Sequence, residues 1–270
     1  MTGQVVFVGA GPGDPELITL KGWRALQNAE VVLYDSLVDE RLLDGLDAEL
    51  VAVGKRCGQH SMPQERITRM LVDYALEGKR VVRLKGGDPT LFGRTGEEAL
   101  ALAAAGVPFE IVPGVSSAFA APAFAGIPVT HRGIADSVCI VSAHRQGDRS
   151  DFSIPPYSAR RTLVLLMAAK TAPSWLEQLL KSGYPSNLPM AFVTAATTTR
   201  QAVHVTTLED AVNNGVTAEL ASPTMAVAGH VVKLRESLAW HGEELFEQLT
   251  ASRYAGADMP GPPIPSGVQV

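Results

Sequence analysis

Val81-Val82-Arg83-Leu84-Lys85-Gly86-Gly87-Asp88-Pro89 is the stretch on which the fold turns. Arg80–Leu84 carries the β-branched, apolar character of a buried strand, and the two adjacent glycines that follow break it sharply. A helical pattern then covers Thr95–Ala105, so the unit reads strand, glycine turn, helix. The same rhythm runs outward in both directions. Gln4–Val8, Val31–Tyr34, Leu50–Val53 and Phe109–Val112 read as strands; Leu17–Asn28, Pro63–Glu77 and Ser116–Ala125 read as helices, with Pro63 in a first turn. Strands alternating with helices imply βαβ units and a mainly parallel sheet.

Beyond Pro128 the rhythm changes. Ser137–Ser142, Leu163–Met167, Met190–Thr194, Gln201–Thr206 and Thr224–Gly229 are strand segments, with helices at Ala172–Ser182 and Leu208–Asn214. Strands separated by only a few residues imply hairpins and a mixed sheet. The expected fold class is therefore α/β, with an N-terminal α/β domain over 1–114 and a C-terminal α/β domain over 115–250. Gly147–Tyr157, polar and proline-bearing, is expected as an exposed loop, and the Gly- and Pro-rich tail 251–270 as disordered.

Composition narrows the function classes. Hydrophobic residues make up 46% and charged residues 19%, enough apolar matter for a substantial core. Only two cysteines occur, Cys57 and Cys139, so no disulfide framework is expected, no metal site is indicated, and a reduced, cytoplasmic setting is the simplest expectation. No apolar run reaches the roughly 18 residues of a membrane span, and the N-terminus lacks the regions of a signal peptide. A net charge of −5 with interspersed signs argues against nucleic acid as a partner, yet local Arg and Lys clusters can still hold an anionic small molecule.

Two glycine loops carry the chemistry. The first, Gly9-Ala10-Gly11-Pro12-Gly13-Asp14, imitates the dinucleotide fingerprint G-x-G-x-x-G but puts Asp14 where the third glycine belongs. Pro12 also removes an N–H donor, so a nicotinamide oxidoreductase is the weaker reading. The bland reading is a tight turn needing glycine for positive φ. The second loop, Gly86-Gly87-Asp88-Pro89, lets a ligand approach the backbone at the end of a strand, and the Asp88 carboxylate can accept from a hydroxyl or ammonium group. That chemistry suits a nucleoside or amino-acid-like ligand better than a phosphate, against the alternative of a plain surface turn.

The opening segment Gly9–Lys21 resembles the first motif of the tetrapyrrole methylases, and Val81–Glu98, VVRLKGGDPTLFGRTGEE, resembles the uroporphyrinogen-III C-methyltransferases in particular. Gly54-Lys55-Arg56, residues 113–132 and Val231–Trp240 are similar too, so the resemblance covers roughly residues 3–241. It implies an active site in the cleft between two α/β domains, a homodimer, and S-adenosyl-L-methionine as methyl donor. The implied reaction is transfer of two methyl groups to uroporphyrinogen III, giving precorrin-2 for sirohaem and cobalamin. The implied cofactor positions are Pro12, Gly86, Gly87, Asp88, Leu91, Ser116, Ser117, Met167 and Ala196. Asp35 and Lys55 are the implied proton-transfer pair.

Uroporphyrinogen carries eight carboxylates, so Arg56, Arg94, His131 and Arg132 are the expected acceptor-binding cations, with Lys85 either joining them or flanking the loop. Plainer readings are a turn carboxylate for Asp35, a solvated basic pair for Lys55 and Arg56, a structural histidine for His131 and core packing for Met167. Relatives often carry Tyr-Met-Gly, Asn-Gly-Thr and Thr-Gly-His where this chain has Leu166-Met167-Ala168, Ala195-Ala196-Thr197 and Ser142-Ala143-His144. The added methyls are expected near the adenosine pocket. With its first glycine motif at residue 9, the chain is expected to lack the dehydrogenase and chelatase module fused to some relatives. A methylase of a later precorrin, or a binding protein without turnover, are the other readings.

Overall fold

The computed structural model describes residues 2–54, 62–143, 153–216 and 222–240. In the first half, β1 (Gln4–Gly9), β2 (Val31–Tyr34), β3 (Glu49–Ala52), β4 (Arg80–Lys85) and β5 (Phe109–Val112) form one sheet in the order β3-β2-β4-β1-β5. Every pairing in it is parallel. Alternate strand residues leave opposite faces, and here both faces are apolar. Val5, Phe7, Val31, Leu33 and Val81 pack with Ile67, Leu71 and Ala75 of α2 (Gln64–Leu76) and Leu102 of α3 (Thr95–Ala104). Val8, Val32, Val82, Leu84 and Val112 pack on the other face with Leu26 of α1 (Leu20–Gln27) and with Leu42 and Leu43. Covering both faces with helices is what permits an all-parallel sheet of near-continuous valine and leucine.

The second half holds β6 (Ser137–Ser142), β7 (Arg161–Leu166), β8 (Pro189–Thr194), β9 (Ala202–Thr207) and β10 (Thr224–Ala228), ordered β6-β7-β10-β8-β9. Only β6 and β7 run parallel; β8 and β9 form the expected hairpin pair. One face takes Trp175, Leu176 and Leu179 of α5 (Ala172–Lys181) and Leu208 and Ala211 of α6 (Leu208–Asn213). The opposite face takes Ala118 and Ala121 of α4 (Ser117–Phe124), with Val231 and Val232. Helix α4 follows the first sheet in the chain yet packs on the second, so the segment between β5 and α4 bridges the two layers.

Three helix starts differ from expectation, one of them by a single residue: Ser116 is the cap before α4 rather than its first residue. The Leu17–Asn28 pattern splits: the Asp14 carboxylate accepts from the Glu16 N–H to hold a short 3₁₀ turn, Pro15–Leu17, and Ile18 is extended. Thr19 then caps α1 by accepting from the Gly22 N–H at 3.1 Å, which fixes the start at Leu20. Pro63, with ψ at 142°, is the residue before α2 rather than part of its first turn. The 3₁₀ turns Glu40–Leu42 and His230–Leu234 and the short helix α7 (Arg235–Leu238) are too brief to leave a periodicity. Of the expected loop at Gly147–Tyr157 only 153–157 is described, without regular structure, and the tail 251–270 lies outside the described residues.

Candidate functional site

The two glycine loops are one structure. Beyond the ends of β1 and β4, the Gly87 N–H donates to the Gly11 carbonyl at 2.7 Å and the Gly11 N–H to the Gly87 carbonyl at 3.3 Å. Contact this close requires bare backbone. A Cβ on Gly9 would lie 2.5 Å from the Gly114 Cα and 2.6 Å from the Gly87 carbonyl oxygen. Gly11 and Gly87 also hold φ of 83° and 68°, in the left-handed region that glycine tolerates. Gly13 extends the contact to the second half, where a Cβ would meet Thr198 Cγ2 at 2.9 Å. The Asp14 N–H donates to Thr197 Oγ1 at 3.0 Å. With Gly11 and Asp14 N–H engaged and Pro12 having none, the first loop is poorly equipped to bind a pyrophosphate.

Beside the paired loops lies a cavity of about 430 Å³ whose walls come from both halves. The first half contributes Pro12, Asp35, Leu37, Lys85, Gly86, Leu91, Phe92 and Gly93. The second contributes Ser117, Ala121, Leu166, Met167, Ala169, Lys170, Thr171, Val193, Ala196 and the run Ser222–Met225. The volume and the mainly apolar wall, broken by a few polar groups, match a small-molecule site. Surface grooves elsewhere among the described residues are each lined by one half of the chain alone.

Of the expected cofactor positions, Pro12, Gly86, Leu91, Ser117, Met167 and Ala196 line this cavity. Gly87, Asp88 and Ser116 are not among the residues that line it. In Asp88, expected to face a ligand, Oδ1 accepts from the Thr90 N–H at 2.8 Å and Oδ2 from the Gly114 N–H at 3.1 Å. Burial pushes its pKa up, but hydrogen bonds from Thr90 and Gly114 outweigh that and hold it below the usual carboxylate value. Ser116 caps α4 by accepting from the Ala118 N–H at 3.2 Å. Met167, expected to end a buried strand, sits past β7 with φ at 57° and is 46% exposed, because the chain turns there into the cavity wall. Ala196 brings its methyl to the cavity, whereas Ala143 and Ala168 are buried in the core beneath α5, so those two methyls fill the core and not the pocket.

Asp35, half-buried at the end of β2, accepts from Arg83 Nη2 at 2.6 Å. Arg83 and Lys85 leave the same face of β4 and meet Glu98 of α3: Arg83 Nε donates to Oε1 at 3.1 Å and Lys85 Nζ to Oε2 at 2.8 Å. All three are at least 97% buried, since their exposures are 2%, 3% and 0%. Burial pushes the Lys85 pKa down, and the neighbouring Arg83 adds to that against the pull of Glu98. Lys85 is therefore a buried wall residue tied to Glu98. Sequence reasoning passed over Glu98 because its partners sit on another element.

The expected cations are less centralised. Arg94, at φ 57°, caps the start of α3 and makes a two-pronged pair with Glu97 at 2.8 and 2.7 Å. His131 and Arg132 lie on an exposed turn, where His131 Nδ1 is 2.9 Å from the Arg132 carbonyl oxygen. None of these three lines the cavity. Lys55 and Arg56 fall outside the described residues. Lys170, not singled out from the sequence, is exposed on the cavity wall and has no ion-pair partner among the described residues. Leu37, Phe92 and Met225 are further wall residues whose place only the fold reveals.

A family model of the tetrapyrrole (corrin/porphyrin) methylases matches residues 4–212. Siroheme synthase 2 of Aeromonas hydrophila is 49% identical over 244 residues, covering 89% of this chain and 52% of that protein. Siroheme synthase of Pseudomonas fluorescens strain Pf0-1 is 47% identical over 242 residues, covering 88% and 52%. The chain spans about half the length of these curated relatives. Among solved structures, the uroporphyrin III C-methyl transferase of Thermus thermophilus complexed with S-adenyl homocysteine has a TM-score of 0.74 at 42% identity, covering 86% of this chain and 94% of that one. A cobalt precorrin-4 methyltransferase has a TM-score of 0.72 at 30% identity, covering 85% and 95%. With the family model matched over residues 4–212, most of its length, this chain belongs to the tetrapyrrole methylase family.

Proposed function

We propose that the chain is an S-adenosyl-L-methionine-dependent uroporphyrinogen-III C-methyltransferase, transferring two methyl groups to give precorrin-2 for sirohaem or cobalamin. The observation that carries this reading is the pairing of Gly11 with Gly87 beside a two-sided cavity. The 42% identity to a uroporphyrin III C-methyl transferase supports the acceptor, and that protein's complex with S-adenyl homocysteine supports the cofactor. The residues fit such a cofactor. Gly86 brings backbone to the wall, Leu37, Leu91, Leu166, Met167 and Met225 supply an apolar bed, and Ser117 and Thr171 offer hydroxyls. Gly87, Asp88 and Ser116 hold the loop and helix start that frame it.

The cofactor supplies a methyl already activated by its sulfonium. What the protein must add is alignment and exclusion of water, tasks suited to an apolar wall assembled from two domains. Asp35 is the proton acceptor from the methylated ring, held at the cavity by Arg83. Lys55 is the donor or a carboxylate anchor. Acceptor carboxylates meet Arg56, Arg94, His131, Arg132 and Lys170. The Arg94–Glu97 pair is solvent-exposed and screened, so a substrate carboxylate can replace Glu97. Phe109 and Ile111, exposed at 40% and 37% on the edge strand β5, support self-association as a homodimer.

A later precorrin as acceptor is the second reading, favoured by the near-equal TM-score of the precorrin-4 enzyme. Presenting the protein with S-adenosylmethionine and a panel of uroporphyrinogen III and mono- and dimethylated precorrins separates the two. Turnover on uroporphyrinogen III is expected; turnover confined to methylated acceptors overturns the proposal.

A further inference from the structure

Arg83, Lys85, Glu98 and Asp35 form a closed set of two cations and two anions, with Asp35 and Lys85 in the cavity wall. Glu98 is its hub. Oε1 accepts from Arg83 Nε and from Gln64 Nε2, the latter at 2.9 Å, and Oε2 accepts from Lys85 Nζ. Arg83 is pinned on all sides: Nη1 donates to the Leu33 and Leu84 carbonyls at 3.4 and 3.2 Å, leaving Nη2 for Asp35. A sheet this rich in valine and leucine gains little stability from buried ions, because apolar side chains of similar volume serve as well or better. The network's position, with one end in the core and the other at the cavity, points to a role in the site.

We infer that Glu98 is a positioning residue for methyl transfer: it fixes Arg83, and through Arg83 the Asp35 carboxylate, while holding the Lys85 ammonium back from the cavity. Without its charge, Asp35 is the remaining ion-pair partner of this buried set among the described residues, and it is drawn into the wall and away from an acceptor. The inference rests on the proposed role of Asp35 as proton acceptor.

Three variants of the full chain test it: Glu98→Gln, which keeps shape and hydrogen-bonding capacity, Arg83→Lys, which keeps charge but cannot fork between Glu98 and Asp35, and Asp35→Asn. Turnover with S-adenosylmethionine and uroporphyrinogen III is measured beside S-adenosylhomocysteine affinity. Glu98→Gln is expected to lower kcat roughly 10- to 100-fold, with the affinity held within about twofold. Arg83→Lys is expected to follow it, and stands in for it if the glutamine variant does not fold. Wild-type kcat in a folded Glu98→Gln or Arg83→Lys protein overturns the inference, and so does a parallel loss of kcat and affinity, the mark of a merely structural role. Wild-type kcat in Asp35→Asn defeats the reading of Asp35 itself, so the two failures are told apart.

Discussion

Gly11 and Gly87 exchange both backbone hydrogen bonds, at 2.7 and 3.3 Å, so loops far apart in the chain meet as a short antiparallel bridge across the ends of parallel strands. That bridge gives the cavity its backbone wall. It forms only because Gly9, Gly87 and Gly114 stack without side chains between them.

Gly9→Ala tests the stack. Its Cβ would press on backbone at Gly114 and Gly87, which cannot rotate away as a side chain could. Overpacking of this kind costs about 1–3 kcal/mol. In a chain of this size each kcal/mol lowers Tm by roughly 2–4 °C. Gly96→Ala, where a Cβ meets open space, is the control and is expected to leave Tm unchanged or slightly raised. Equal Tm values for the two variants would show that the loops are not packed as described.

Asp88 tests the link from loop to pocket. Asp88→Ala frees the Thr90 and Gly114 N–H groups, and S-adenosylhomocysteine affinity is expected to fall about tenfold, equivalent to roughly 1.4 kcal/mol. Unchanged affinity contradicts the framing role. The pH dependence has a definite sign. The folded pKa lies below the unfolded value of about 3.9, so the carboxylate stabilises fully above that value, and the gain disappears as pH falls through the folded pKa. Thermal melts of wild type and Asp88→Asn should differ at pH 5–7 and converge as pH drops below about 4.

Much of this architecture is legible in the sequence. β2, β5 and β6 fall on the expected residues because short apolar runs between turn residues leave little room for another boundary. The start of α1 was hidden because Asp14 and Thr19 are both capping residues, and the first serves a 3₁₀ turn instead. Six expected cofactor positions reach the wall since they sit in or beside turns at strand and helix ends. The Asp88–Gly114 hydrogen bond could not be read from the sequence, because Gly114 belongs to another strand's exit. Nor could the burial of Arg83 and Lys85: charges in a strand look solvated until Glu98 is placed on α3 opposite them.

Lys170 tests where acceptor carboxylates dock. It is a cavity-wall cation that Lys85, tied to Glu98, cannot replace. Lys170→Met keeps the stem and removes the charge. The acceptor KM is expected to rise about tenfold, roughly 1.4 kcal/mol, with S-adenosylhomocysteine affinity unaltered. A fall in cofactor affinity with no change in KM assigns Lys170 to the cofactor and refutes the acceptor role.

The most direct test of the proposed activity is the methyl stoichiometry. Folded protein is incubated with S-adenosylmethionine labelled in its methyl group and with uroporphyrinogen III, and label in the acceptor is counted against S-adenosylhomocysteine formed. Two methyls per tetrapyrrole, matched by two S-adenosylhomocysteine and a dimethylated chromophore, is the expected result. Protein that binds S-adenosylhomocysteine yet puts no methyl into that acceptor contradicts it.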